Sequence, residues 1–282
     1  IAGPLSVPPE FALRIILLCS ADLPSPQQSK FVRCHRLPID TELPDYGFVE
    51  AAVQASEITR NLLKENTTAN VLVQAVTLAG QEQCSAGIAA LLRTLSLENP
   101  RFRSQHIEVE AGESPGSLTL KLEENLADLA ETSVRYRDGV RQVKSWEPVL
   151  EPATTPMPWK QRDGVYLITG GTGGLGLIFA ESIAATVDAP VLVLAGRSAL
   201  DSTRRERLER LAELGAQVEY RQADVSHADE AQALIEEIIQ SHGQLHGVVH
   251  AAGVLQDNYL LNKTAEEVRM VLAPKVTATL HL

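Results

Sequence analysis

Residues 165–176 read VYLITGGTGGLG. The run Val165 to Ile168 is a short apolar strand of the kind buried on both faces, and it empties into five glycines followed by an apolar-periodic stretch. A strand feeding a glycine turn at the start of a helix is the context a dinucleotide-binding fingerprint requires. Gly171, Gly173 and Gly176 fit G-x-G-x-x-G, while Thr169-Gly170, Gly174 and Gly176 fit T-G-x-x-x-G-x-G. Glycine suits such a loop because a side chain would hold a pyrophosphate away from the backbone amides and the positive end of the following helix. Thr169, Gly170, Gly171, Thr172, Gly173, Gly174, Leu175 and Gly176 are therefore candidate cofactor-binding residues, against the alternative of a merely tight turn.

From this loop onward the chain alternates regularly. Strands are expected at 165–169, 191–195, 216–222 and 245–251, with helices at 175–187, 203–214 and 228–241 and another beginning at 264. That is a doubly wound parallel sheet, incomplete within these residues.

The strand ends discriminate between cofactors. An NAD site expects a carboxylate after the second strand; here stand Gly196, Arg197 and Ser198, with no acid until Asp201. Arg197 can neutralise a 2′-phosphate, which favours NADPH; the alternative is a solvated strand-end arginine. Asp224 and Val225 close the third strand with a carboxylate for an adenine amino group and an apolar wall. His250, Ala251, Ala252 and Gly253 close the fourth with small residues where the nicotinamide half would run near the backbone.

The first half is also α/β. Strands are expected at 13–19, 31–37, 70–78 and 106–110, and helices at 47–65, 84–98 and 119–130, with Asn99-Pro100 stopping the second helix. Residues 132–146 form a hairpin about Asp138-Gly139. None of these strands opens into a glycine-rich loop, so this half has the elements of a nucleotide fold without its site. Residues 147–160 hold four prolines and read as an extended linker. Trp159 either pins the first strand of the second half or is a core aromatic at a domain seam. The domains are thus expected at 1–158 and 159–282.

Composition narrows the class. Hydrophobic residues at 44% and charged residues at 22% describe an ordinary globular protein. The net charge of −11, from 36 acids and 25 bases, argues against nucleic acid as a partner. Cys19, Cys34 and Cys84 lack metal spacing and read as reduced cytoplasmic residues. The apolar run from Ala12 to Cys19 is too short to span a membrane and contains Arg14, and Pro8, Pro9 and Glu10 replace the basic start of a signal peptide. The chain lacks an initial methionine and its last residues read as helix, so a segment of a longer protein is expected.

Other patterns carry less. His242, His246 and His250 are spaced by four, but strand and glycines keep them off one face, so no metal site is expected. Tyr259 and Lys263 match Y-x-x-x-K, at a place unsuited to the tyrosine-lysine pair of short-chain reductases. Asp163 reads as a turn residue.

LITGGTGGLG at 167–176, LAGRS at 194–198, ADVS at 223–226 and VVHAAGVLQD at 248–257 resemble the ketoreductase domains of modular polyketide synthases, members of the short-chain dehydrogenase/reductase superfamily. GIAALLRTLSLENP at 87–100 and VRYRDGVRQVKSW at 134–146 are similar to segments of their structural subdomain. The resemblance covers essentially the whole chain. It implies two Rossmann-like subdomains, a truncated structural one first and an NADPH-binding one second.

It further implies NADPH-dependent reduction of a β-ketoacyl thioester, carried on the phosphopantetheine arm of an acyl carrier protein among the other domains of the same synthase. In that family a tyrosine protonates the forming alkoxide, a serine bonds the same oxygen, and a lysine lowers the tyrosine's pKa. Lys275, in a stretch read as helix, is the matching lysine; the serine and tyrosine are expected beyond residue 282, so these residues alone should not catalyse reduction. Leu255, Gln256 and Asp257 match the first and last positions of the L-D-D signature of B-type members, which make the D-alcohol, and imply guidance of the substrate arm; Asp257 equally reads as a helix cap.

Three alternatives remain open at this stage. They are a catalytically silent structural domain of a synthase, a dinucleotide-sensing module, and a stand-alone short-chain dehydrogenase, whose chain would begin near residue 165.

Overall fold

The structure is a computed structural model that describes residues 10–37, 44–65, 68–80, 82–149, 159–160 and 162–282. Most of the expected linker, and the side chain of Cys84, lie outside the described residues. The chain divides into two units, residues 1–148 with 257–269 and residues 149–256 with 270–282.

In the first unit, strands β1 (Phe11–Leu18), β2 (Val32–Arg36), β3 (Asn70–Leu78), β4 (Phe102–Val109), β5 (Ser133–Arg137) and β6 (Val140–Val143) form one sheet in the order β2-β1-β3-β4-β5-β6. All pairs are parallel except β5–β6. Helices α1 (Pro44–Lys64), α2 (Glu82–Glu98) and α3 (Pro115–Glu124) connect them. The hairpin turns where expected. Asp138 and Gly139 have φ of 51° and 74°, the left-handed pair that a two-residue turn between right-twisted strands needs.

Two elements depart most from expectation, for local reasons. β4 starts at Phe102, directly after the Asn99-Pro100 stop, because its polar residues Ser104 and His106 are satisfied inside, on Ser96 and Thr77. The third helix runs 115–124 rather than 119–130, since Pro115 occupies its first turn, Ser114 caps it by accepting from the amide of Ser117, and a 3-10 turn at 125–127 ends it.

Arg14, an anomaly in an apolar run, is fully buried at the centre of a polar ladder. It donates to Gln74 Oε1 (2.9 Å), Glu123 Oε1 (2.5 Å) and the carbonyl of Leu122 (2.9 Å). Gln74 passes the chain to Gln105 (2.8 Å), whose amide serves the carbonyls of Asn125, Asp128 and Glu131. The ladder satisfies carbonyls left over where α3 ends.

Residues 257–269 belong with this unit, and Arg60 of α1 donates to the carbonyl of Lys263 (3.2 Å). Arg269 meets Glu50 with both nitrogens (2.9 and 3.0 Å), and Glu98 accepts from the amide of Leu260 (2.8 Å).

The second unit contains β7 (Val165–Thr169), α4 (Gly174–Thr186), β8 (Val191–Gly196), α5 (Ser202–Glu213), β9 (Gln217–Gln222), α6 (Ala228–His242) and β10 (Gly247–His250). Its parallel sheet has the order β10-β7-β8-β9. Strand period two splits the apolar residues between faces. Tyr166, Ile168, Leu192 and Leu194 meet α4 and α5, while Val165, Leu167, Val193 and Ala195 meet α6. The sheet is therefore doubly wound, with a switch point between β7 and β10, where such folds bind ligands.

Trp159 stacks edge-on against Tyr166 of β7, with ring centroids 5.5 Å apart. The helix expected from 264 onward is two helices, α7 (Ala265–Leu272) and α8 (Thr277–His281), because Pro274 has no amide hydrogen to continue the ladder.

Candidate functional site

The loop after β7 explains its glycines one by one. Gly170 has φ +63°, and a Cβ there would lie 2.7 Å from the carbonyl oxygen of Ala251. At Gly171 a Cβ would meet the carbonyl oxygen of Ile168 and Leu194, and at Gly176 it would collide with the carbonyl of Gly170. These three allow close packing of loop, strand and helix. Gly174 is different: a Cβ there would touch nothing within 4 Å. Gly173 is the N-cap of α4, and no side chain caps the first turn. Gly173, Gly174 and Leu175 are exposed and Thr172 is half-buried beside them. An uncapped helix start behind an open glycine is what a pyrophosphate would fit.

Gly174→Ala separates this role from stability. Alanine in helix is favoured by up to about 1 kcal/mol, so the melting temperature should hold or rise. Dinucleotide affinity, by nicotinamide fluorescence titration, should fall about tenfold, or 1.4 kcal/mol; unchanged affinity would place the phosphates elsewhere.

Beyond the loop lies a cavity of about 170 Å³ whose walls include Thr169, Gly170, Gly196, Arg197, Asp224, Val225, Ala252 and Gly253. These come from the carboxyl ends of all four strands. A larger cavity of about 650 Å³ lies in the first unit between α2 and β4–β6, with no glycine loop at its edge.

Two β9 side chains hold the Arg197 segment. Tyr220 Oη lies 3.2 Å from the carbonyl of Gly196 and 2.5 Å from that of Ser198, and Gln222 donates to the carbonyl of Arg197 at 2.9 Å. Asp201, the first acid beyond Arg197, caps α5 by accepting from the amide of Arg204 (2.8 Å) and pairs with its guanidinium (3.4 Å). Among the described residues, the segment after β8 thus carries no acid between Gly196 and Asp201. Burial works against the charged form of Asp224, but bonds from Ser226 and the Arg197 and His227 charges outweigh it and hold the carboxyl below its usual range.

The KR domain profile matches residues 164–282. The chain as a whole resembles the crystal structure of a ketoreductase domain from the bacillaene assembly line, with a TM-score of 0.85 and 32% identity over 100% of this chain and 68% of that one. The chain belongs to the ketoreductase domains of polyketide synthases.

This ketoreductase is 39% identical over 269 residues to polyketide synthase PksL of Bacillus subtilis (strain 168), which covers 95% of the chain and 6% of that protein. To polyketide synthase PksN of the same organism it is 42% identical over 237 residues, covering 83% and 4%. It thus spans only a few per cent of these relatives, which are multidomain synthases. It is an oxidoreductase domain, and its fold is one that binds nicotinamide dinucleotides. Among the described residues no helix is long and apolar enough to cross a membrane.

Other candidate residues of the ketoreductase fall outside the cavity. Lys275 is exposed in the turn between α7 and α8, a correction to its expected helical place, although the preceding Pro274 lines the cavity. Leu255 is 82% exposed, Gln256 is bonded to Met270, and Asp257 falls in the segment grouped with the first unit. Tyr259 is exposed, and its carbonyl closes the turn to Lys263.

The three histidines go separate ways. His242 lies near Glu219, His246 Nδ1 accepts from the amide of Val165, and His250 bonds Thr169 and Pro274. Asp163 has φ 51° in a turn. Sequence reading missed Tyr220 and Gln222; their period-two spacing at the end of β9 is the signal that could have found them.

Proposed function

We propose that this domain binds NADPH and serves the reduction of a β-ketoacyl thioester, carried on the phosphopantetheine arm of an acyl carrier protein, to a β-hydroxyacyl thioester within a cytoplasmic synthase. The observation that carries the cofactor choice is Arg197. It lines the cavity at the end of β8, its backbone is clamped by Gln222, and the nearest following acid is engaged elsewhere. The glycine loop supplies the pyrophosphate cradle, and Asp224 with Val225 receives the adenine. NADPH held there would supply hydride to the ketone carbon, and Lys275 is read as the family lysine that tunes the proton donor.

No residue among the 282 matches the family's serine and tyrosine, so by this reading these residues hold cofactor without completing the reduction. The first and last positions of the L-D-D signature, Leu255 and Asp257, support the D-alcohol as the product of the full enzyme, with Gln256 departing from the signature. The test is NADPH binding and turnover by this chain with a β-ketoacyl thioester surrogate. Binding in preference to NADH without oxidation of NADPH is expected. Steady turnover overturns the inactivity, and equal binding of both cofactors overturns the role of Arg197.

A further inference from the structure

We propose that His250 is a positioning residue, a two-armed brace that fixes the turn carrying Lys275 against the strand that leads into the cofactor loop. The proposal rests on the reading of the cavity as the NADPH site and of Lys275 as the family lysine.

The need for a brace begins at Pro274. α7 ends at Leu272, and the amides of Lys275 and Val276 both turn back to the Leu272 carbonyl, at 3.0 and 2.8 Å. The amide of Ala278, which an unbroken helix would aim at Pro274, instead reaches the carbonyl of Ala273 at 3.0 Å. The Pro274 carbonyl is thus passed over by the backbone in a residue that is half-buried. A carbonyl in that position costs stability unless something donates to it. His250 Nε2 does so, at 2.5 Å.

The other ring nitrogen has its own partner. Nδ1 lies 2.6 Å from Thr169 Oγ1, on the residue directly opposite His250 in the β10–β7 pairing. Because a carbonyl can only accept, Nε2 carries the proton; in the neutral ring Nδ1 then accepts the threonine hydroxyl hydrogen. One rigid ring therefore links β7 to a carbonyl 24 residues further along than His250 itself. Thr169 and Pro274 are both walls of the cavity, so the brace sets the spacing between them. Lys275 follows Pro274 immediately and inherits its position.

Shortened mimics separate the arms. Asparagine places an amide near Nδ1 and keeps only the Thr169 bond, whereas glutamine reaches the Nε2 position and keeps the Pro274 bond. His250→Ala, His250→Asn and His250→Gln would be compared by amide hydrogen exchange in the ligand-free chain and by NADPH titration. Loss of one such bond corresponds to about a three- to tenfold effect.

Alanine and asparagine should accelerate exchange at Lys275, Val276 and Ala278 by that factor and weaken NADPH similarly, with β8 and α5 unaffected. Glutamine, which keeps the Pro274 arm, should restore exchange at 275–278 and, lacking the Thr169 arm, only part of the NADPH affinity. Exchange at 275–278 unmoved by alanine, or glutamine behaving as alanine does, overturns the brace. If the unsubstituted chain fails to bind NADPH, the cofactor reading falls, and the exchange comparison still decides the brace.

Discussion

Arg197→Gln is expected to lower NADPH affinity by about 10- to 100-fold while leaving NADH affinity within about twofold. Hydrogen bonds to a charged group contribute about 1.5–3 kcal/mol, and the 2′-phosphate is the one group that distinguishes the two cofactors. Glutamine retains the stem and leaves the backbone clamp of Tyr220 and Gln222 untouched. Damage to the loop would therefore appear as a parallel loss for both cofactors, and that outcome, or no loss at all, would refute the assignment. Arg197 is exposed, so the difference should shrink as salt is raised, in the manner of a screened contact. Fluorescence titrations of both cofactors at low and high ionic strength provide the measurement.

Arg14→Ala should destabilise the first unit by about 2–4 kcal/mol, chiefly the cost of leaving buried hydrogen-bond acceptors short of a donor, at about 1–3 kcal/mol each. The guanidinium is fully buried whereas Glu123 keeps 30% of its side-chain surface in solvent, so the carboxylate can hydrate when its partner is removed. The larger cost falls on Gln74 Oε1, which loses its donor inside the protein, and on the Leu122 carbonyl, which keeps only a 3.5 Å bond from Gln74 Nε2. Opening free energies from amide exchange in β1, β3 and β4 should fall by that amount, with those of β7 and β8 unchanged. A change under about 1 kcal/mol would show that the ladder contributes specificity of packing rather than stability.

Much of the site was legible because its parts follow local rules. The loop at 170–176 is read from glycine spacing, and the Asp138-Gly139 turn from the left-handed backbone that two strands of right-handed twist impose. Helix limits were less legible where a single residue overrides the period, as Pro115 and Pro274 do. The choice among the glycines was not legible at all: five look alike in sequence, yet Gly170, Gly171 and Gly176 are demanded by neighbouring backbone or side chains and Gly174 by nothing in the protein.

The sequence by itself determined the alternation of strands and helices, the glycine-rich loop after β7 and the lack of such a loop in the first half. It also put Arg197 directly after β8, with no acid before Asp201. Only the tertiary structure decided which residues act together. Thr169 and His250 are 81 residues apart and become neighbours through the order β10-β7-β8-β9. Arg14 and Glu123 are 109 apart and meet because α3 ends over β1 and β3. Periodicity and turn chemistry act over a few residues and can be read in line, whereas partners of this kind are set by strand order, which brings distant stretches of chain side by side.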